Sequence, residues 1–213
     1  MAESISVLII DDHVVIAEGL SVLIAADPEL TVAGIAHSAA DGLRLAAAFA
    51  PRVVLLDHYL PDDTGVAITP QLKALVPGTA VVILTSRDDD DVLASAFEAG
   101  ASGFLLKTQA AEHVIEAIKT AAAGEMLVSS ATLTRVLRYS KSGASRPVPA
   151  VALTDRERDV LRLLAEGMDS RAIAYEFGLT VATVRTYVQT ILRKFGAHSR
   201  LQAVMRAQQQ GLL

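Results

Sequence analysis

The first 125 residues alternate between short, continuous apolar runs and longer stretches with helical periodicity. The apolar runs lie at 5–10, 30–36, 53–56, 81–84 and 103–106. Runs of this length are typical of strands buried on both faces of a parallel sheet. Helix-like stretches follow them at about 13–26, 38–50, 64–76, 88–99 and 109–123. Five strand–helix repeats predict a doubly wound α/β domain over 1–125, with a five-stranded parallel sheet.

The rest of the chain has a helical pattern. Residues 129–139 predict one helix, and residues 140–149 are rich in Ser, Gly and Pro, which is typical of a flexible linker. We therefore expect a linker helix and a flexible linker over 126–150. In the tail, Thr154 and Glu157 have the spacing of a capping box, and three later glycines are placed to end helices. Residues 151–213 thus predict an all-α domain of four short helices.

Composition indicates a globular protein in a reducing compartment. Apolar residues make up 52% of the chain and charged residues 20%. The chain has no cysteine, which excludes disulfides and zinc sites with thiolate ligands. The N-terminus lacks the pattern of a signal peptide, and no apolar run reaches the roughly 18 residues that span a bilayer. We expect a cytoplasmic protein with no membrane partner.

The net charge of −5 conceals an asymmetry between the two parts of the chain. Residues 1–150 carry 18 acidic and 10 basic side chains, whereas residues 151–213 carry 6 acidic and 9 basic ones. An acidic part joined to a basic part indicates two domains with different partners.

Polar side chains stand at the carboxyl ends of four predicted strands. Asp11 and Asp12 follow the first strand, Asp57 the third, Thr85 the fourth and Lys107 the fifth. Ligand sites of open α/β sheets lie at the carboxyl ends of the strands. With the strand order 2-1-3-4-5, these side chains meet at one edge of the sheet.

Three clustered carboxylates repel one another and require a cation. Carboxylate oxygens suit Mg²⁺, which keeps several waters and binds one or two carboxylates. One carboxylate can then attack a phosphoryl donor to give an acyl phosphate, while Mg²⁺ and Lys107 neutralise the developing charge. The hydroxyl of Thr85 can bond to a phosphate oxygen only once the phosphate is present, as a switch requires.

These stretches resemble the flavodoxin-like receiver domain of response regulators over about residues 4–123. The matching segments are LIIDD at 8–12, VLLD at 54–57, VILT at 82–85 and GASGFLLK at 100–107. The resemblance implies that Asp57 is the phosphoacceptor. It implies Mg²⁺ binding by Asp11, Asp12, Asp57 and the backbone carbonyl of Tyr59. It also implies that Thr85 and Phe104 form a switch pair and that Lys107 contacts the phosphate.

The helix predicted at about 181–195 has two distinct faces. One face is an apolar stripe of Val184, Val188, Ile191 and Phe195. The opposite face carries groups that can contact base edges or phosphates, namely Ala182, Arg185, Thr186, Gln189 and Arg193. A short turn containing Gly178 joins this helix to the one before it, which predicts a helix-turn-helix.

Residues 151–213 resemble the LuxR-type DNA-binding domain. The matching segments are LTDRE at 153–157, AEG at 165–167, ILRKFG at 191–196 and RLQA at 200–203. The resemblance implies that Arg185, Thr186 and Gln189 enter the major groove. It places Thr183, Arg193 and Lys194 near phosphates. The whole chain resembles NarL/FixJ-type response regulators.

The combined resemblance implies a regulator and not an enzyme. A histidine kinase would phosphorylate Asp57 and thereby control binding to double-stranded promoter DNA, with a homodimer forming on activation and RNA polymerase as a further partner. One alternative is a regulator that binds DNA without phosphorylation. Another is a phosphohydrolase with an aspartyl nucleophile, but such enzymes usually place a second acid two residues later, where this chain has Tyr59.

Overall fold

The chain forms two compact units, residues 1–127 and 128–213, each with its own hydrophobic core. The computed structural model describes residues 4–126, 130–140 and 151–213. Within these ranges, no helix combines the length and the apolar character needed to span a bilayer.

The first unit is a five-stranded parallel sheet with helices between successive strands. Its strand order is β2-β1-β3-β4-β5, which confirms the predicted fold. In chain order the elements are β1 (Ile5–Ile10), α1 (Val14–Ala25), β2 (Leu30–Ala36), α2 (Ala39–Phe49), β3 (Val53–Asp57), α3 (Gly65–Leu75), β4 (Ala80–Thr85), α4 (Asp90–Glu98), β5 (Gly103–Leu106) and α5 (Lys107–Ala122).

The central strands are buried on both faces, as their continuous apolar runs predict. All residues of β3 and β4 are buried, and so is the second half of β1. The parallel register sets Ile10 beside Leu56 and Asp57 beside Leu84. Because the strands are aligned at their carboxyl ends, the side chains that follow them reach one edge of the sheet.

The acidic run 88–91 begins a helix. Asp89 is the N-cap of α4, and its carboxylate accepts a hydrogen bond from the amide of Asp91 at 2.9 Å. Asp90 and Asp91 lie in the first turn, where the helix dipole favours negative charge. The run therefore stabilises the start of α4.

The second unit contains five helices in the described ranges. They are α6 (Ser130–Ser140), α7 (Asp155–Ala165), α8 (Ser170–Phe177), α9 (Val181–Phe195) and α10 (Arg200–Gln209). Gly178 and Gly196 end α8 and α9 with φ of 61° and 59°, a conformation that favours glycine. Both glycines end helices where the sequence predicts.

Helix α6 packs within the second unit. It contacts α10, and its Leu133 and Val136 are buried. The sequence predicted this segment as a linker helix, because its apolar positions do not indicate which surface covers them. Except for Ser140, the predicted flexible linker at 140–149 lies outside the described residues.

The first unit contains a buried lysine whose removal is expected to stabilise it. Lys73 on α3 is 2% exposed, and its ammonium donates a hydrogen bond to the Thr79 carbonyl at 2.7 Å. Burial lowers the pKa of Lys73 to about 8. Charging Lys73 therefore opposes folding at neutral pH, and this cost fades as the pH rises from about 8 toward 10.5.

Lys73→Met is expected to raise the free energy of unfolding at pH 7 by about 2 kcal/mol, since relief of the charge outweighs one lost hydrogen bond. The gain should shrink at pH 10. Urea unfolding at both pH values measures it. Lys119→Met is a matched control, because Lys119 pairs at the surface with Asp27 at 2.9 Å and with Glu29. If Lys73→Met instead lowers the free energy of unfolding at pH 7, as the creation of a cavity would, the account is wrong.

Candidate phosphorylation site and nucleic-acid interface

Three predicted site residues meet at the carboxyl edge of the sheet. Asp57 ends β3 and is 1% exposed, and Asp11 follows β1 and is fully buried. Lys107 begins α5 and places its ammonium 2.8 Å from Asp57 Oδ2 and 2.8 Å from Asp11 Oδ2. One lysine thus bridges two buried carboxylates that come from different strands.

The carboxyl group of Asp57 ionises less readily than that of an ordinary aspartate. Burial raises its pKa to about 6, and the charge of Asp11 adds to the rise, although the hydrogen bond from Lys107 opposes it. Burial also lowers the pKa of Lys107, but its bonds to Asp11 and Asp57 outweigh this effect and leave the pKa raised. The ammonium therefore stays charged and partly compensates the two acids.

The acidic group also contains His13, which the sequence reasoning did not identify. Asp12 and His13 lie at the more exposed side of the site, with side chains 34% and 60% exposed. His13 Nδ1 is 2.7 Å from Asp12 Oδ1 and 3.4 Å from Asp11 Oδ1. The position of His13 directly after Asp12 was the available signal, but a sequence does not show which way the ring points.

The predicted switch residues lie on β4 and β5, the next two strands of the sheet after β3. Thr85 ends β4, is fully buried, and accepts a hydrogen bond from the Arg87 amide at 3.3 Å. Phe104 is half-buried on β5 beside Ile83. The Tyr59 amide donates to Asp57 Oδ1 at 3.3 Å, so the loop after β3 bends back over the carboxylate.

Close packing fixes the loop between β3 and α3. A Cβ at Gly65 would lie 2.4 Å from the Asp57 carbonyl oxygen, so only glycine lets α3 begin there. Asp62 accepts hydrogen bonds from the amides of Ala39 at 2.8 Å and Ala40 at 3.0 Å. These bonds lower the pKa of Asp62 and tie the loop to the start of α2. Sequence reasoning did not identify the role of Asp62.

The three carboxylates of the site fit a hard divalent cation. Asp11, Asp12, His13 and Asp57 each offer a ligand atom, and these atoms lie within 4.8 Å of one another. Asp11 Oδ2 is buried and accepts no well-aligned hydrogen bond, although the Lys107 ammonium is 2.8 Å away. A buried carboxylate oxygen with spare acceptor capacity beside two further carboxylates is a suitable ligand for Mg²⁺.

In the second unit, helix α9 separates its apolar and polar residues as predicted. Val184, Val188 and Ile191 are at most 2% exposed, and Phe195 is 5% exposed. The opposite face is exposed and consists of Ala182, Arg185, Thr186, Gln189 and Arg193. Thr180 caps the helix by accepting the amide of Thr183 at 3.1 Å. A polar face of helix α9 is therefore available to a partner.

Lys194 is engaged within the domain. Its ammonium lies 2.6 Å from Glu157 Oε2 and donates to the Ala152 carbonyl at 3.0 Å. Glu157 also accepts the Thr154 amide at 2.7 Å, completing the predicted capping box of α7. Arg206 on α10 similarly donates to the Phe195 carbonyl at the end of α9. Both cations hold α9 to its neighbours.

Two family profiles match the two units. The response regulator receiver domain matches residues 7–119, and the luxR family of bacterial regulatory proteins matches residues 151–207. The chain belongs to the response regulator family. As a response regulator it joins a receiver domain to a LuxR-type DNA-binding domain, which confirms the predicted architecture.

Similar proteins that match over nearly their whole length support this assignment. The transcriptional regulatory protein LiaR of Bacillus subtilis is 34% identical over 98% of this response regulator and 99% of its own length. The DNA-binding transcriptional activator DevR/DosR of Mycobacterium tuberculosis is 36% identical, covering 95% and 94%. The nitrate/nitrite response regulator NarL of Escherichia coli is 35% identical, covering 98% and 97%.

Solved structures share the fold. The response regulator ChrA of a heme-sensing two-component system is 28% identical, with a TM-score of 0.52 and 99% of both chains covered. RcsB in its complex with DNA is 18% identical, with a TM-score of 0.58, covering 97% of this response regulator and 99% of that chain. The RcsB likeness shows a common fold alone.

Proposed function

We propose that phosphorylation of Asp57 by a histidine kinase controls sequence-specific DNA binding by the C-terminal unit. The observation that carries this proposal is the buried Asp57 at a strand end, bridged by Lys107 and flanked by Asp11, in a chain that also contains a LuxR-type domain. A carboxylate so placed, with its charge balanced by Lys107, can act as a nucleophile.

In the proposed reaction, an Asp57 carboxylate oxygen bonds to phosphorus while the bond from phosphorus to the phosphohistidine nitrogen breaks. The imidazole leaves with the electron pair of that bond, and Asp57 becomes an acyl phosphate. Lys107 is already within 2.8 Å of Asp57 Oδ2, so its ammonium can follow the charge onto a phosphate oxygen.

The fitting cation is Mg²⁺, with Asp11, Asp12, Asp57 and the Tyr59 carbonyl as proposed ligands. Bound Mg²⁺ would neutralise negative charge on the transferring group. Three carboxylates and a carbonyl occupy four of the six positions around Mg²⁺ and leave two, for water and for a phosphate oxygen. The bond from the Tyr59 amide to Asp57 Oδ1 holds the loop that carries this carbonyl beside the site.

The proposed output begins at Thr85. Its hydroxyl now accepts a bond from the Arg87 amide, and a phosphate on Asp57 would offer it a stronger, charged acceptor. Rotation of Thr85 toward the phosphate would leave room on β4 that Phe104 on β5 can fill. These movements would change the surface formed by α4 and α5. A phosphate adds about −1.5 to −2 charges, which is enough to bias such a change.

The proposed DNA contacts lie on α9. Arg185, Thr186 and Gln189 are the residues assigned to the major groove, and Thr183 and Arg193 are assigned to phosphates. Lys194 remains a proposed phosphate contact through the third N–H of its ammonium, since the other two donate to Glu157 and to the Ala152 carbonyl. The DNA-binding activity named for DevR/DosR, 36% identical to this chain, supports this assignment.

The proposal includes several partners beyond the kinase and DNA. We propose a homodimer on activation, because two recognition helices about one DNA turn apart can read two half-sites. RNA polymerase is the proposed downstream partner of a DNA-bound regulator, and the cytoplasm is its proposed location. The chain would turn over no small substrate, because Tyr59 occupies the position where a hydrolase needs an acid.

Changes on the polar face of α9 are expected to weaken DNA binding to different degrees. Arg185→Ala and Gln189→Ala should each cost about 1–3 kcal/mol at the preferred site and relax sequence preference. Arg193→Ala should weaken binding to all duplexes and lower the salt slope by about one unit. Fluorescence anisotropy at several salt concentrations measures both effects. The matched control is Arg158→Ala on α7, where Arg158 pairs locally with Asp155 at 3.0 Å.

Genome-wide mapping of bound DNA tests the proposed function in the source cell. Wild-type protein should enrich a small set of upstream regions that share a motif with two half-sites. Gln189→Ala should lose these regions at equal protein level, and Asp57→Asn should lose most of them. Enrichment that survives Gln189→Ala would contradict the assigned interface, and enrichment unaffected by Asp57→Asn would support a phosphorylation-independent regulator.

A further inference from the structure

His13 occupies the N-cap position of α1, but its side chain does not cap the helix. The ring turns toward the acidic site instead. Its Nδ1 is 2.7 Å from Asp12 Oδ1, 3.4 Å from Asp11 Oδ1 and 3.9 Å from Asp57 Oδ2. The His13 amide also donates to Asp11 Oδ1 at 2.9 Å. Backbone and side chain of one residue therefore both face the carboxylates.

These spacings suit ligands of a single ion. Two donors bound at right angles, each about 2.1 Å from a cation, lie about 3 Å apart. The distances from Nδ1 to Asp12 and to Asp11 lie on either side of this value. The side chain of His13 is 60% exposed, so the ring can adjust without disturbing the core.

We propose that His13 supplies an imidazole ligand to the acidic site and so favours first-row transition cations relative to Mg²⁺. The inference deepens the proposed function, since it concerns the same pocket, but it does not require phosphoryl transfer. Imidazole nitrogen is a good ligand for Co²⁺, Ni²⁺ and Zn²⁺, whereas Mg²⁺ prefers oxygen. A pocket of carboxylates alone would discriminate less between these cations.

The competing explanation is that His13 is only a counter-charge. As an imidazolium it would pair with Asp12 at 2.7 Å and would have to move away before any cation could bind. The two explanations predict opposite results when the ring is removed. Loss of a ligand weakens binding of transition cations selectively, whereas loss of a counter-charge strengthens binding of every divalent cation.

The test compares Co²⁺ with Mg²⁺ on the full-length chain without a phosphoryl donor. Isothermal titration gives both affinities, and visible absorption reports nitrogen ligation of Co²⁺. His13→Asn is suitable because asparagine is a favoured N-cap residue and should preserve α1. His113→Asn is the matched control, since His113 on α5 is 55% exposed and pairs only weakly with Glu112 at 3.9 Å.

We expect His13→Asn to lower Co²⁺ affinity by about 10-fold or more and to change the Co²⁺ absorption spectrum. Mg²⁺ affinity should change by less than about 3-fold, and His113→Asn should match wild type. An equal loss for both cations, no loss, or a gain for both would overturn the proposal. If His13→Asn lowers Co²⁺ affinity selectively but the wild-type protein takes up no phosphoryl group, only the proposed function is contradicted.

Discussion

The Asp57→Asn variant is expected to take up no phosphoryl group from a small-molecule donor such as acetyl phosphate with Mg²⁺. An amide at this position lacks the nucleophilic carboxylate. Wild-type protein should gain the mass of one phosphoryl group, in a linkage that alkaline hydroxylamine cleaves as it cleaves acyl phosphates. Intact mass spectrometry measures the gain.

Two further variants make this result specific. Asp63→Asn changes an exposed acid on the loop after β3 and should leave phosphorylation intact. Asp12→Asn should slow the reaction and raise the Mg²⁺ concentration it needs, because it removes a proposed ligand and not the nucleophile. Phosphoryl uptake by Asp57→Asn at the wild-type rate would place the acceptor elsewhere in the chain.

Lys107→Met is expected to destabilise the metal-free receiver by about 3 kcal/mol at pH 8, since removal of one partner leaves buried charge without compensation. Among the described residues, Lys107 has the only basic side chain that donates hydrogen bonds to both Asp11 and Asp57. The loss should be smaller at pH 5, because Asp57, with its pKa raised to about 6, is then mostly protonated. Urea unfolding at the two pH values measures the difference.

Mg²⁺ provides the second half of this prediction. Saturating Mg²⁺ should restore much of the lost stability of Lys107→Met at pH 8, because a bound cation replaces the missing positive charge. Arg44→Ala is the control, since Arg44 forms an exposed pair with Asp41 whose loss should cost at most about 1 kcal/mol. Equal destabilisation at both pH values, with no response to Mg²⁺, would show that Lys107 acts through packing alone.

The sequence predicted the sheet and its carboxyl edge because both depend on simple periodicity. Buried parallel strands require unbroken apolar runs, and the residues that end those runs reach the same edge. This reasoning identified Asp11, Asp57 and Lys107, which the structure brings within hydrogen-bonding distance. It also separated the two faces of α9, since a helical stripe repeats along the chain.

The features that the sequence did not predict depend on side-chain direction and on contacts between distant segments. His13 was not identified because the sequence does not show whether the side chain of an N-cap residue points toward its helix or toward the acidic site. Asp62 was not identified because its partners are backbone amides at the start of α2, more than twenty residues away. Lys194 was assigned to phosphates from resemblance, while its bond to Glu157 joins helices α7 and α9. No local pattern encodes such contacts.

The central claim is that a phosphate on Asp57 controls DNA binding, and one titration tests it directly. Affinity for a duplex carrying the preferred site is measured at fixed salt and Mg²⁺, with and without the phosphoryl donor, for wild type and Asp57→Asn. Phosphorylated wild type should bind about 10-fold tighter than unphosphorylated wild type, a typical coupling between two sites. Asp57→Asn should bind weakly in both conditions. Equal affinity in all four measurements would contradict the claim.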